Sequence, residues 1–251
     1  MVRRELKHQA KRVIFTDRKP HFVMVTLLYL LVWIALMQLV TNLSDFGRFW
    51  SETVGQATAD IDAFARFGIL PALRLPIFEL TLSGKLFLII PWIFLWVMEL
   101  GYLYYVRGTV RGESLGYQSI FEGFNYFFRA IFLRILQALL IGIGLVFLIV
   151  PGIILLCGFS QVHLLLLDHP DKGIFWFFKE SWRIMWGRKW EYLVLSLSFI
   201  GWILLTEIPY ISLAARLWFI PYHTATMVYY YDRITGQGKA SETEWKRPGM
   251  F

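Results

Sequence analysis

Residues 135–167 read ILQALLIGIGLVFLIVPGIILLCGFSQVHLLLL, 33 positions without one charged side chain, interrupted near the middle by Pro151-Gly152. A helix needs about 20 apolar residues, at ~1.5 Å rise each, to cross a hydrocarbon core. The run is too long for one crossing and suits two short spans with a tight hairpin at Pro151-Gly152. Working outward, 22–40 is uncharged, 86–106 is broken only by Glu99, and Glu207 and Pro209 divide 192–206 from 211–231. The pattern predicts an all-α, polytopic membrane helical bundle of six transmembrane helices.

Composition agrees. Hydrophobic residues make up 57% of the 251 and charged residues only 17%, where a soluble domain carries roughly 25% charged. Mean hydropathy is +0.53. The single cysteine, Cys157, excludes an intrachain disulfide. No cleavage signal follows the first span, which is read as retained.

The net charge of +7 raises the prospect of a nucleic-acid partner. Sorting the cations by segment removes it. The arm 1–20, the loops between spans two and three and between spans four and five, and the tail carry 19 Lys and Arg, against five on the opposite side. The positive-inside rule then puts both termini in the cytoplasm of a cell whose plasma membrane holds the protein. The basic excess orients the chain and attracts anionic lipid headgroups.

Three cytoplasmic segments carry helical amphipathic spacing. In 4–14, Leu6, Ala10, Val13 and Ile14 oppose Arg4, Lys7, Lys11 and Arg12. In 120–131, Ile120, Phe121, Phe124, Phe127, Phe128 and Ile131 form one stripe. In 174–185, Ile174, Phe177, Phe178, Trp182 and Met185 oppose Lys179 and Arg183. Ring-rich helices with basic polar faces belong in the interface plane, so Trp182, Arg183, Trp186, Lys189 and Trp190 are expected to contact lipid. Each segment precedes two spans, and the last two units share wording and end in Asp168 and Asp232. The expectation is an internal threefold repeat, a design that often places a site between its copies.

The expected organisation is one integral membrane domain, 1–236, and a flexible cytoplasmic tail, 237–251. The extracytoplasmic segment 41–85 carries Phe46, Trp50, Val54, Ala57, Ile61 and Phe64 at helical spacing. It reads as a helix on the outer leaflet, or as the docking surface of a membrane protein partner.

No phosphate loop, HExxH, CxxC or G-x-S-x-G occurs. Asp168-His169-Pro170-Asp171 reads as turn and capping chemistry. No cofactor, metal or catalytic residue is expected. The candidate binding site is an inner polar cluster of Glu99, Arg134, Gln137, Gln161 and His163. By helical rise Glu99 lies ~10 Å and Arg134 ~6 Å from the same membrane edge. An unpaired charge at mid-bilayer costs about 2.5–3.5 kcal/mol, so the two should pair. Glu207 and Arg216 form a second candidate pair near the outer face.

Residues 173–231 carry Ser181-Trp182-Arg183, Met185, Gly187, Lys189-Trp190, the run 197–202, Pro221-Tyr222, Thr224, Thr226 and Tyr229-Tyr230. With Phe121-Glu122-Gly123-Phe124, Pro151-Gly152-Ile153, Asp168 and Pro170-Asp171, this resembles a family of small bacterial integral membrane proteins of unknown function. The chain departs from it over 41–85 and at Thr206-Glu207-Ile208-Pro209. The resemblance implies the six-span fold and a bacterial plasma membrane, but no activity. The expected function is membrane transport or the handling of envelope lipids or peptides. The alternatives are a structural or regulatory subunit of a membrane complex and a membrane-embedded enzyme acting on lipid.

Overall fold

The computed structural model describes residues 2–15, 20–43, 82–206, 208 and 211–237. Among the described residues every regular element is helical. In chain order these are α1 (Val2–Phe15), α2 (Pro20–Leu43), α3 (Leu82–Val110), a 3₁₀ helix (Tyr117–Tyr126), α4 (Phe127–Phe147), α5 (Ile149–Gly158) and α6 (Val162–Asp168). Then come α7 (Ile174–Ile184), α8 (Lys189–Leu197), α9 (Ile200–Thr206) and α10 (Ser212–Thr235).

The chain divides into two compact units, Leu30–Leu95 and the remainder, Met1–Tyr29 with Trp96–Phe251. The first of these holds the end of α2 and the start of α3, where Leu31, Leu39, Ile89, Ile90 and Trp92 are exposed. The expected outer segment falls mostly on residues 44–81, outside the described ones, as do Glu207 and the tail beyond Gln237.

In the larger unit α1 is amphipathic as its spacing dictates. Leu6, Ala10 and Ile14 are buried against α10, and Lys7 lies 4.1 Å from the centroid of the Phe199 ring. Where α2 meets α3, the Tyr102 hydroxyl donates to Thr26 Oγ1 at 3.0 Å, and Thr26 donates onward to the Phe22 carbonyl. Tyr29 stacks on Tyr102. These polar groups are buried with their partners, as an apolar surrounding requires.

Two expectations need correction. The single amphipathic helix expected over 120–131 is a 3₁₀ helix that becomes α4 at Phe127. Its contact with α3 explains the tighter winding. A Cβ on Gly101 would stand 1.6 Å from the Ile120 carbonyl oxygen, and one on Gly123 would stand 2.4 Å from that of Val97. Backbones this close leave room for neither a side chain nor a wider turn, so Ile120 is buried while Phe121 and Phe128 face outward. The hairpin turn, expected at Pro151-Gly152, sits at Leu148, which is extended between α4 and α5. Pro151 fits the first turn of α5, where an N–H would lack a helical partner anyway. Gly152 lets the hairpin close, since a Cβ there would stand 2.3 Å from Leu145 Cδ2.

Four helical stretches are long and apolar enough to cross a membrane: Phe22–Leu39, Ile89–Val110, Tyr117–Phe147 and Ile149–Asp168. A fifth results if α8 and α9, bent by 41° at their junction, form one broken span. Helix α10 has the length, with 24 residues, but Arg216, His223, Thr224 and Thr226 keep it out of this set. Large apolar side chains stand exposed along the α4–α5 hairpin, among them Ile143, Val146, Phe147 and Ile149. A continuous apolar surface of that kind is unfavourable in water and natural in lipid. These helices point to a membrane protein.

Candidate binding site

The ends of α3, α6 and α10 meet at one end of the larger unit. Arg107 lies in the last turn of α3 and Arg111 just past its end, where its N–H donates to the Arg107 carbonyl at 3.0 Å, so the two share a face. Gly112, in the left-handed region at φ 89°, ends the helix just beyond them. Asp168 closes α6 and Asp232 lies in the last turn of α10. Carboxylates are disfavoured at helix C-termini, where the helix dipole is negative. These two are rescued by the arginines. Arg107 Nη1 and Arg111 Nη1 each donate to Asp168 Oδ1 at 2.8 Å, and Arg111 Nη2 donates to Asp168 Oδ2 at 3.1 Å. Arg111 Nη2 also donates to Asp232 Oδ1 at 2.6 Å and to the Gln237 side-chain oxygen. The Tyr231 hydroxyl donates to Asp168 Oδ2 at 2.8 Å.

The aspartate side chains are only 4% and 6% exposed. Two guanidiniums and two carboxylates leave the network neutral. Burial, opposed by the bonds from Arg111, raises the Asp232 carboxyl above its ordinary range. The sequence named both aspartates as unit ends but not as partners of Arg107 and Arg111. The available signal was the pair of arginines at i and i+4 in RGTVR.

Above Tyr231 opens a cleft of about 440 Å³ between α7 and the end of α10. Its polar walls are Arg183, Glu180, His169 and Arg188, and Trp186 stands at the rim. Arg183 is 77% exposed and pairs with Glu180. Arg188 Nη1 donates to the Ile234 carbonyl at 3.0 Å. The His169 ring packs edge-on against Trp176.

The inner cluster gathers around a break in the span. Between α5 and α6 the residues 159–161 leave the helix, and Ser181 of α7 bridges the gap. Its hydroxyl donates to the Gly158 carbonyl at 2.7 Å and accepts the Gln161 backbone N–H at 3.3 Å. Glu99 and Arg134 form an ion pair, with the Glu99 side chain 54% exposed. Gln137 Nε2 donates to the Phe159 carbonyl at 3.1 Å. Gln161 is buried, with Nε2 donating to Ser160 Oγ. His163 lies within electrostatic reach of Arg134. Arg134 Nε, Gln137 Oε1 and Gln161 Oε1 are buried without a protein partner among the described residues.

Of the residues expected at lipid, Trp186 and Trp190 are exposed. Trp182 instead packs on Phe159, and its ring meets Gly158. The Lys189 ammonium covers that ring, 3.1 Å from its centroid. The pair Glu207–Arg216 cannot be placed, because Glu207 lies outside the described residues. Among the described residues no cluster of His, Cys, Asp or Glu is arranged to hold a metal.

Residues 129–238 match a family described as "Protein of unknown function (DUF975)". The match takes in the cleft, Asp168, Tyr231 and Asp232, whereas Glu99, Arg107 and Arg111 lie upstream of it. No curated protein and no solved structure matches the chain.

Proposed function

We propose that the protein is an integral component of a bacterial plasma membrane, with six spans, three interfacial helices, a threefold repeat and both termini in the cytoplasm. It handles envelope lipids without chemistry of its own. The observation that carries this reading is a belt of rings and cations beside an open polar cleft. Trp186 and Trp190 are exposed within a few residues of Arg183 and Arg188, and Phe175 is exposed near the start of α7. Indoles and guanidiniums together suit the headgroup layer, where ring and charge find different solvents within a few ångströms. The repeat rests on the equivalent ends of its last two units, whose aspartates both bind Arg111. Native mass spectrometry of the purified protein tests the function. Retained anionic phospholipid without a stoichiometric protein partner supports it. A partner without lipid, or turnover of a lipid or peptide, overturns it.

The inner cluster favours a second reading, transport. Broken helices at membrane depth are tolerated where they are buried in protein or line a cavity, and such breaks hold substrate or ion sites in many transporters. Here, among the described residues, Gln137 Oε1 and Gln161 Oε1 near the break and Arg134 Nε within the Glu99–Arg134 pair are buried without a protein partner. Exchanging the pair, with Glu99→Arg and Arg134→Glu together, distinguishes glue from site. Restored folding and activity mean that the pair only fixes register. A folded but inactive variant assigns it to a ligand or a proton.

A further inference from the structure

We propose that the cleft between α7 and the end of α10 binds a phosphate ester, held by the guanidiniums of Arg183 and Arg188. The proposal deepens the lipid-handling reading and rests on it where the ester belongs to a lipid headgroup. Four features of the cleft lead to it.

The first is charge. Two guanidiniums face the cleft against one carboxylate, Glu180. The buried side chain of Asp168 beneath the floor is already matched by Arg107, Arg111 and Tyr231, so it does not oppose an incoming anion.

The second is donor geometry. A guanidinium is a planar fork suited to two oxygens of one phosphate. The bond from Arg188 Nη1 to the Ile234 carbonyl holds that side chain in place and, among the described residues, engages one of its nitrogens. Gly187, at φ 75°, reverses the chain between Trp186 and Arg188, so that both line the same space. A side chain at this position would be strained.

The third is size. About 440 Å³ falls in the range of small-ligand sites, enough for a phosphate with a glycerol-sized substituent. Leu165, Ile184 and Ile234 give that substituent an apolar wall.

The fourth is competition for Arg183, which is paired with Glu180 three residues before it. The guanidinium is open to solvent, which weakens its pairing with the half-buried carboxylate, so a phosphate that engages Arg183 more strongly can displace it. Glu180 therefore opposes binding, and its neutralisation should tighten it.

The test uses the full-length protein in phosphatidylcholine nanodiscs and two probes. One is soluble glycerol 3-phosphate, followed by titration calorimetry. The other is phosphatidylglycerol, followed by native mass spectrometry. The wild type should bind at least one of them. R183Q/R188Q should weaken that binding at least tenfold, and E180Q should tighten it severalfold. Because E180Q gains function, its result cannot be attributed to misfolding. Binding unchanged in R183Q/R188Q, binding weakened by E180Q, or a wild type that takes neither probe overturns the cleft site. If phosphatidylglycerol is retained regardless of these charges, the cleft site fails and lipid handling survives. If glycerol 3-phosphate binds in the expected order and no lipid is retained, the cleft site stands and lipid handling fails.

Discussion

A guanidinium offers five N–H donors on one planar fork, and Arg111 spreads its fork over Asp168, Asp232 and Gln237. Lysine has the charge but not the fork, so Arg111→Lys cannot reproduce the paired N–H bonds to both carboxylates. Removing one member of a buried ion network costs about 3–5 kcal/mol, since a charge is left without its partner. Arg111→Gln should approach that range, visible as a lower melting temperature in detergent. Asp232→Asn should cost less than Asp168→Asn, because among the described residues the Asp232 carboxylate is bound by Arg111, whereas that of Asp168 is bound by Arg107, Arg111 and Tyr231. Asp232 also gives a pH dependence of known sign. Its folded-state pKa is raised from 3.8, so the folded protein holds more protons than the unfolded one just above that value. Its contribution to stability is then lost as pH rises through the raised pKa. The melting temperature of the wild type relative to Asp232→Asn should fall as pH rises above the ordinary carboxylate range, and a relative rise would refute the assignment. Depth along a helix could be counted from the sequence, which set Glu99 opposite Arg134. The partner of Arg111 could not be found by counting, because it lies 121 residues away on a helix whose rotation the chain alone does not reveal.

At the level of elements, the glycine contact between α3 and the 3₁₀ helix is the tightest constraint described. A Cβ on Gly101 would have to displace backbone rather than a yielding side chain. Overpacking typically costs about 1–3 kcal/mol, and Gly101→Ala should reach or exceed the upper end. Gly142→Ala meets open space and should be neutral. Thermal unfolding of the two variants side by side is sufficient, and equal melting temperatures would rule out the close approach. Amphipathic spacing identified a helical segment around 120–131 but not its winding, since Phe121, Phe124 and Phe127 fall three apart and over so short a run share a face at either 3.0 or 3.6 residues per turn. Proline misdirected the hairpin turn for a related reason. It breaks a helix interior yet opens a helix readily, and only the fold shows that Pro151 stands at an opening.

The whole molecule carries its cations overwhelmingly on one side of the expected topology, 19 against five, and that asymmetry predicts its orientation. A cysteine introduced at Ser51 should react with an impermeant reagent on intact cells, while one at Ser241 should not. Labelling of Ser241→Cys would invert the topology. Membrane class was legible because the bilayer imposes a length and a hydropathy that one sequence can display. Function was not, since a cleft made by α6, α7 and α10 together exists only once distant segments meet. The arginine network has a further consequence, in time. Arg111 leaves the ribosome 57 residues before Asp168 and 121 before Asp232. At roughly 5–20 residues per second, it waits on the order of ten seconds for its last partner. Until then Arg107 and Arg111 share the single carboxylate of Asp168, one positive charge stays unmatched, and nascent proteins that stop short of Asp232 keep that mark. Completion of the final helix and neutralisation of the network are one event, so an incomplete copy differs from a finished one in charge as well as length.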